Sequence, residues 1–420
     1  MVRDRAPRLR PARSTRQRAI LAVSLIGGGA AVFTAVSAAV SAIFVARKVI
    51  TPPKKTIEDV VIYDVNLPAG TISLARTPDS VVDGTYSFWF NHNRMHVRVG
   101  EVIVRTEKTV VRRLVDVDPT GRDAAAAALV SARRGRLGAW VYLHPDDLGV
   151  AYEDVSIQTT LGPAPAWLIR AGTDTDTDTG DDTADNTDRW VIQVHGRGVR
   201  RQECLRAVPV FRAAGYTSLL ISYRNDTDAP NSDDGLYALG AIEWLDVEAA
   251  IRYALDNGAR EIVLMGWSMG GALVLQALSR SELSHAVRGI VLESPVVDWV
   301  TTLHYQADVL HVPPLIREAA LSVISTRWSR RLTGQQEAID FSRLDFVRRA
   351  SELDKPILLL HSDDDGFVPS TASRALAASR PDIVSYWPWH TARHTRLWNF
   401  HRERWNAEIT TWLERLHRAE

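Results

Sequence analysis

The sequence predicts an α/β protein, a mostly parallel sheet interleaved with helices, preceded by a small β-rich region and an apolar N-terminal segment. Three observations carry this. From about residue 150, short apolar runs alternate with helical periodicity, the pattern of strand–helix–strand units. Residues 51–149 hold short strand-like runs separated by turn signals. Residues 19–46 contain no charged side chain.

The chain begins with a basic tail, 1–18, in which Arg3, Arg5, Arg8, Arg10, Arg13, Arg16 and Arg18 face a single acid, Asp4. The uncharged stretch 19–46 that follows is long enough for a transmembrane helix, since about 20 apolar residues cross a bilayer. Gly27, Gly28 and Gly29 are tolerated in such a helix. Arg47, Lys48, Lys54 and Lys55 follow it. The heavier N-terminal charge favours an inner N-terminus, hence a single-pass cell-membrane protein with the rest of the chain outside.

Between 51 and 149, strands are expected at Val60–Val65, Thr85–Phe90, His96–Val99 and Val102–Val104, with turns at Pro68-Ala69-Gly70 and Asp83-Gly84. This small β-rich domain is read as packing or spacing next to the membrane. From 150 to 420, strands are expected at Val155–Thr159, Ala166–Arg170, Trp190–Val194, Ser218–Ser222, Ile262–Met265, Gly289–Leu292, Ile357–His361 and Ile383–Trp387. Helices are expected at Arg201–Ala214, Tyr237–Asn257, Ala272–Ser279, Ser370–Ser379 and Asn399–His417, with Gly215 and Gly258 as stops. The Thr/Asp tract 173–188 has calcium-like spacing, but its glycine falls one place late and no glutamate closes it, so it reads as a solvated insertion. Residues 296–355 are too long for a plain loop and suggest a lid, with Trp299, Tyr305 and Trp328 packing it or lining a pocket.

The formal charge is zero, which gives no electrostatic case for nucleic acid. The single cysteine, Cys204, excludes an intrachain disulfide and reads as a small buried residue.

The chemistry is concentrated in four places. Gly266-Trp267-Ser268-Met269-Gly270 lies between a strand and a helix, so Ser268 sits on a sharp turn beside a helix N-terminus. A serine needs a base, and the base needs an orienting carboxylate. Asp363, Asp364 and Asp365 follow the strand Ile357–His361, and such a strand end shares the carboxyl edge of the sheet with Ser268. His394 lies in the loop between the last strand and the last helix, with His390 as its rival. The Gly-rich loop Val194-His195-Gly196-Arg197-Gly198 could present backbone N–H groups, with that of Met269, to a tetrahedral oxyanion. His195 is expected to shape that loop by hydrogen bonding, and Asp246 to be a surface or helix-positioning residue.

Val191–Gly198, Ile221-Ser222-Tyr223-Arg224, Gly266–Gly271, His361–Pro369 and His394-Thr395 together resemble the successive signatures of an α/β-hydrolase. The resemblance is to the serine-hydrolase branch with esterase-like and prolyl-oligopeptidase-like members, and it covers about 150–420. It implies Ser268 as nucleophile, Asp365 (the aspartate before x-x-Val-Pro) as acid, His394 as base, and the N–H groups of Met269 and Arg197 as oxyanion donors. Ser362 stands where the family often has glycine, and Arg393 precedes His394 in place of a small residue. The expected protein is a membrane-anchored serine esterase using an acyl-enzyme, with a small-molecule or peptide acyl substrate and no metal or organic cofactor. A peptidase, an acyltransferase and a non-catalytic scaffold are the alternatives.

Overall fold

Ile262 and Leu264 point to one side of their strand, Val263 and Met265 to the other, and this alternation divides the larger domain into two cores. The computed structural model describes residues 37–53, 56–118, 120, 122–172 and 188–418. Helix α1 (37–50) leads into a closed six-stranded barrel. The barrel comprises β1 (Val60–Asn66), β2 (Thr71–Ala75), β3 (Tyr86–Phe90), β4 (Met95–Arg105), β5 (Thr109–Val115), helix α2 (Ala124–Ser131) and β6 (Arg134–Gly138). Its order is β1-β2-β5-β4-β3-β6, closed by pairing of β6 with β1. Closure removes the exposed edges of so small a sheet. Tyr86, Phe88, Phe90, Ile72, Leu74 and Val99 fill it. The expected strands are present here, and the structure adds β2, β5 and β6.

The second unit is an eight-stranded sheet: β7 (Glu153–Thr159), β8 (Gly162–Ile169), β9 (Arg189–Val194), β10 (Thr217–Ile221), β11 (Glu261–Trp267), β12 (Val287–Glu293), β13 (Ile357–Ser362) and β14 (Val384–Trp389). Its order is β14-β13-β12-β11-β9-β10-β8-β7, with only β7 and β8 antiparallel to their neighbours. The helices are α3 (Val208–Ala213), α4 (Trp244–Asp256), α5 (Met269–Arg280), α6 (Trp299–Val309), α7 (Pro314–Ser325), α8 (Arg330–Thr333), α9 (Thr371–Ser379), α10 (Leu397–Phe400) and α11 (Arg402–Arg418). One face of the sheet packs on α1, α4, α5, α7 and α9, the other on α3 and α11.

All eight expected strands of this unit are present. Three helices differ from expectation, and the one read as Asn399–His417 is split at His401 into α10 and α11. The segment read as Tyr237–Asn257 becomes helical only at Trp244, because Leu239 and Gly240 take positive φ and the buried Glu243 carboxylate accepts N–H groups of Ala238 and Gly240 at 2.6 and 2.8 Å. The segment 201–214 begins as a 3-10 turn, Arg201–Ala207, before α3.

The apolar segment 19–46 lies mostly outside the described residues, as does nearly all of the acidic tract 173–188. Residues 37–46 belong to α1, whose Ala42, Ala46 and Ile50 are buried in the core of the eight-stranded unit, so this part of the expected span packs on protein. Among the described residues no helix is long and apolar enough to cross a membrane. The segment expected as a lid is partly core. Ala320, Ile324, Ile339, Leu344 and Phe346 of 296–355 are built into the main core, which ties the segment down. Trp299 is buried within it, whereas Trp328 is 71% exposed.

Candidate active site

Ser268 ends β11 and caps α5 with φ 51° and ψ −118°, a conformation few non-glycine residues adopt. The turn is possible because its flanks lack side chains. A Cβ on Gly270 would lie 2.2 Å from Val194 O, and one on Gly266 would lie 2.6 Å from Gly270 O. Val296 and Gly271 N–H groups bind Ser268 O at 3.0 and 3.1 Å and hold the turn. The side chain is left at the carboxyl edge of the sheet.

Asp365 follows β13 and is 3% exposed. Its Oδ1 accepts the N–H groups of Phe367 and Val368, each at 2.8 Å. Its Oδ2 lies 2.7 Å from His394 Nδ1 and 3.2 Å from His361 Nε2. Burial alone would raise this carboxyl, but the charge and hydrogen bond of His394 and the hydrogen bond of His361 hold it well below the usual carboxylate range. His361 is itself fixed by Ser373 Oγ, 2.8 Å from its Nδ1.

His394 Nε2 lies 3.0 Å from Ser268 Oγ. With Nδ1–H given to Asp365, Nε2 carries the lone pair and Ser268 O–H donates to it. The histidine stands between Arg393 and Thr395, both at positive φ (64° and 49°). Strain on either side of a side chain persists only where neighbours enforce it. Arg206, buried, donates to Thr395 O at 2.7 Å and to Asn399 Oδ1 at 3.1 Å. His390 is 70% exposed and pairs with Asp363 at 2.8 Å, away from Ser268. Asp364 accepts from Ser362 Oγ at 2.6 Å and from the Arg393 N–H at 2.9 Å. Of the candidate acids and bases, the structure brings Asp365 and His394 to Ser268 and leaves Asp363, Asp364 and His390 at its margin.

The Gly-rich loop 195–198 is held at two successive peptide planes. Gly196 O accepts from Tyr223 Oη at 2.8 Å and lies 2.9 Å from His195 Nδ1, while Glu203 accepts the Gly196 N–H at 2.7 Å. A trans peptide points its N–H opposite its C=O, so fixing Gly196 O fixes the Arg197 N–H. Burial pushes the Tyr223 phenol well up, which keeps it a donor. A Cβ on Gly196 would stand 3.3 Å from Ser268 Cβ, so this loop abuts the serine. The Met269 N–H begins α5 and has no acceptor within the helix. The Arg197 side chain turns away and donates to Val49 O and Thr51 O, both at 2.8 Å, at the end of α1. His195 bonds Asp226 Oδ2 at 3.0 Å and stacks on Tyr223.

One residue, Glu293, was invisible to sequence reasoning, and another, Asp246, is placed differently from its reading there. Glu293, fully buried, accepts from Trp267 Nε1 and Trp405 Nε1 (2.9 Å each) and from the Leu397 N–H at 3.2 Å. Asp246 is not a surface residue but a buried partner of Arg224, whose Nε and backbone N–H reach it at 2.9 and 2.7 Å. Cys204 is buried and burial raises its thiol, in keeping with an inert core residue.

A cavity of about 720 Å³ opens beside His394. Its walls come from Gly198, Glu203 and Phe367 on one side and from Trp89, Asn93 and Arg136 of the barrel on the other; no residue of 296–355 lines it. The barrel therefore forms one wall of this cavity, while Tyr305 of α6 donates its hydroxyl to Asp365 O at 3.2 Å.

An eight-stranded α/β-hydrolase sheet with a serine on a strained strand–helix turn defines a serine hydrolase. The chain belongs to the prolyl oligopeptidase family, which it matches over residues 206–416. Residues 61–131, most of the barrel, match a domain of unknown function. No curated protein matches the sequence. Among solved structures the chain is similar to an esterase from Pyrococcus furiosus (18% identity, 65% of this chain, 94% of that chain, TM-score 0.49). It is also similar to an esterase from Rhodococcus sp. (18%, 64%, 100%, TM-score 0.41) and one from Exiguobacterium antarcticum (13%, 62%, 100%, TM-score 0.42).

Proposed function

We propose that this serine hydrolase cleaves carboxylic esters through an acyl-enzyme, with Ser268 as nucleophile, His394 as general base and Asp365 as its orienting acid. The 3.0 Å contact between Ser268 Oγ and His394 Nε2 carries the reading. Ser268 Oγ attacks the carbonyl carbon while His394 Nε2 takes its proton. Charge gathers on the carbonyl oxygen, toward which the N–H groups of Met269 and Arg197 are available as donors. Asp365 stabilises the imidazolium. Collapse returns the proton to the leaving alkoxide, and a water activated by His394 then releases the acid and restores Ser268.

Membership of the prolyl oligopeptidase family favours a second reading, peptide cleavage by the same residues, with the proton delivered to a leaving amine. Comparing short peptide amides with p-nitrophenyl esters separates the two. We propose further that the uncharged stretch before α1 anchors the enzyme to the membrane with its catalytic unit outside. Sedimentation of the full chain with membranes, lost on deleting residues 1–36, tests this. The triad is tested with Ser268→Ala, which should abolish p-nitrophenyl ester turnover and fluorophosphonate labelling; labelling that persists would reassign the nucleophile.

A further inference from the structure

Together with the acid Asp79, the barrel contributes one basic side chain, Arg136, to the cavity. Arg136, on β6, directs a half-buried guanidinium into it, steadied by Nε donating to Asn93 Oδ1 at 2.7 Å and by the Trp89 ring, 5.6 Å from the guanidinium carbon. Asn93 is held for this by a tight turn in which Asn91, His92 and Asn93 all have positive φ (54°, 57° and 63°). Three such residues in succession are costly and mark a position the fold enforces.

Arg393 and Arg396, flanking His394, line the same cavity. They share one carboxylate, Asp79, at 3.3 and 3.2 Å, and Arg396 Nη1 meets it without hydrogen-bond alignment. Among the described residues no carboxylate lies within ion-pair distance of Arg136, and Glu58 and Asp59 attract it only from farther away. Burial and the like charge of Arg396 pull its guanidinium below the ordinary arginine value. Asp79 is shared by two guanidiniums, and the other carboxylates lining the cavity, Glu203 and Asp226, are bound to the Gly196 N–H and His195, which leaves Arg136 uncompensated in a partly desolvated cleft where a charge-assisted hydrogen bond is strong.

We propose that Arg136, with Arg396 behind it, is an anion subsite, and that the substrate is an acyl compound carrying a carboxylate beyond its scissile carbonyl. This rests on Ser268 and His394 acting as described above, because His394 lines the same cavity. A planar fork suits a carboxylate, and Trp89 beneath it offers an apolar face for the chain between carboxylate and ester.

The test compares mono-p-nitrophenyl adipate with p-nitrophenyl hexanoate on the full-length protein. The wild type should favour the anionic ester in kcat/KM, and Arg136→Ala should lower the anionic-to-neutral ratio by about tenfold or more, Arg136→Glu further still. An unchanged ratio in Arg136→Ala overturns the subsite. Should that variant fail to fold, the wild type alone decides: adipate should inhibit hexanoate ester hydrolysis competitively, relieved by salt, where 1,6-hexanediol does not. Equal inhibition by both, or by neither, also overturns it. If neither ester is cleaved and fluorophosphonate leaves Ser268 unlabelled, the triad itself fails and takes the subsite with it.

Discussion

Thr85 and Asn399 exchange two hydrogen bonds: the Thr85 N–H donates to Asn399 O at 3.0 Å, and Asn399 Nδ2 donates to Thr85 O at 2.8 Å. Asn399 also donates to Ala139 O at 3.0 Å and accepts from Arg206, which holds Thr395 beside His394. The barrel thus grips the segment that carries His394. The grip needs close approach at Gly84, with φ +115° and a hypothetical Cβ only 2.0 Å from Asn399 O. Gly84→Ala should therefore push the barrel off this segment. It should lower stability by about 1–3 kcal/mol, raise hydrogen exchange across 393–400 and reduce kcat. Gly70→Ala is the control, because Gly70 also has positive φ (+63°) but nothing within 4 Å of a Cβ. If the two variants behave alike, the contact is not what matters.

The acid in the site makes a pH prediction. Asp365 is buried, yet its contacts with His394 and His361 hold its carboxyl below the ordinary carboxylate value. A group depressed in the folded state contributes stability that is present above its unfolded value, about 3.9, and is lost as pH falls through the folded value. The wild type should therefore lose more stability than Asp365→Asn as pH is lowered from about 5 toward 2. The same variant should lose on the order of 10³–10⁴ in kcat at neutral pH, because the imidazole is no longer held in the useful tautomer. Denaturant midpoints measured across pH for both proteins check the first claim; parallel curves would contradict it.

The larger unit was legible because its strands announce themselves. Ile262–Met265 and Ile357–Leu360 are apolar on both faces, as central parallel strands must be, and the chemistry-bearing loops follow directly from their ends. Choosing among Asp363, Asp364 and Asp365 needed family resemblance, because adjacency in sequence gives no direction in space. The structure separates them through the Phe367 and Val368 N–H groups that turn Asp365 inward. The barrel's place against the site was illegible: Asp79, Thr85 and Ala139 reach residues some 260–314 positions away by contacts with no local pattern. The helix from Tyr237 was overextended because Leu239 looks like a helix former, while its positive φ is imposed by Glu243 binding the backbone around it.

Glu293 yields the last prediction. One buried carboxylate receives Trp267 Nε1 from the strand before the nucleophile, Trp405 Nε1 from α11, and the Leu397 N–H from the segment after the base. Its position fixes the Ser268 strand relative to the His394 loop. Glu293→Ala would strand three buried donors, each costing about 1–3 kcal/mol, so a loss of at least about 3 kcal/mol is expected. Glu293→Gln should not restore it. An amide keeps the shape but has one accepting oxygen, and its NH2 would face a donor from either Trp267 and Trp405 or Leu397. Both variants should also slow fluorophosphonate labelling of Ser268, since the base loop loses its reference to the nucleophile. A Glu293→Gln protein with wild-type stability and labelling rate would show that the charge there is dispensable and that packing of the two tryptophans sets the geometry.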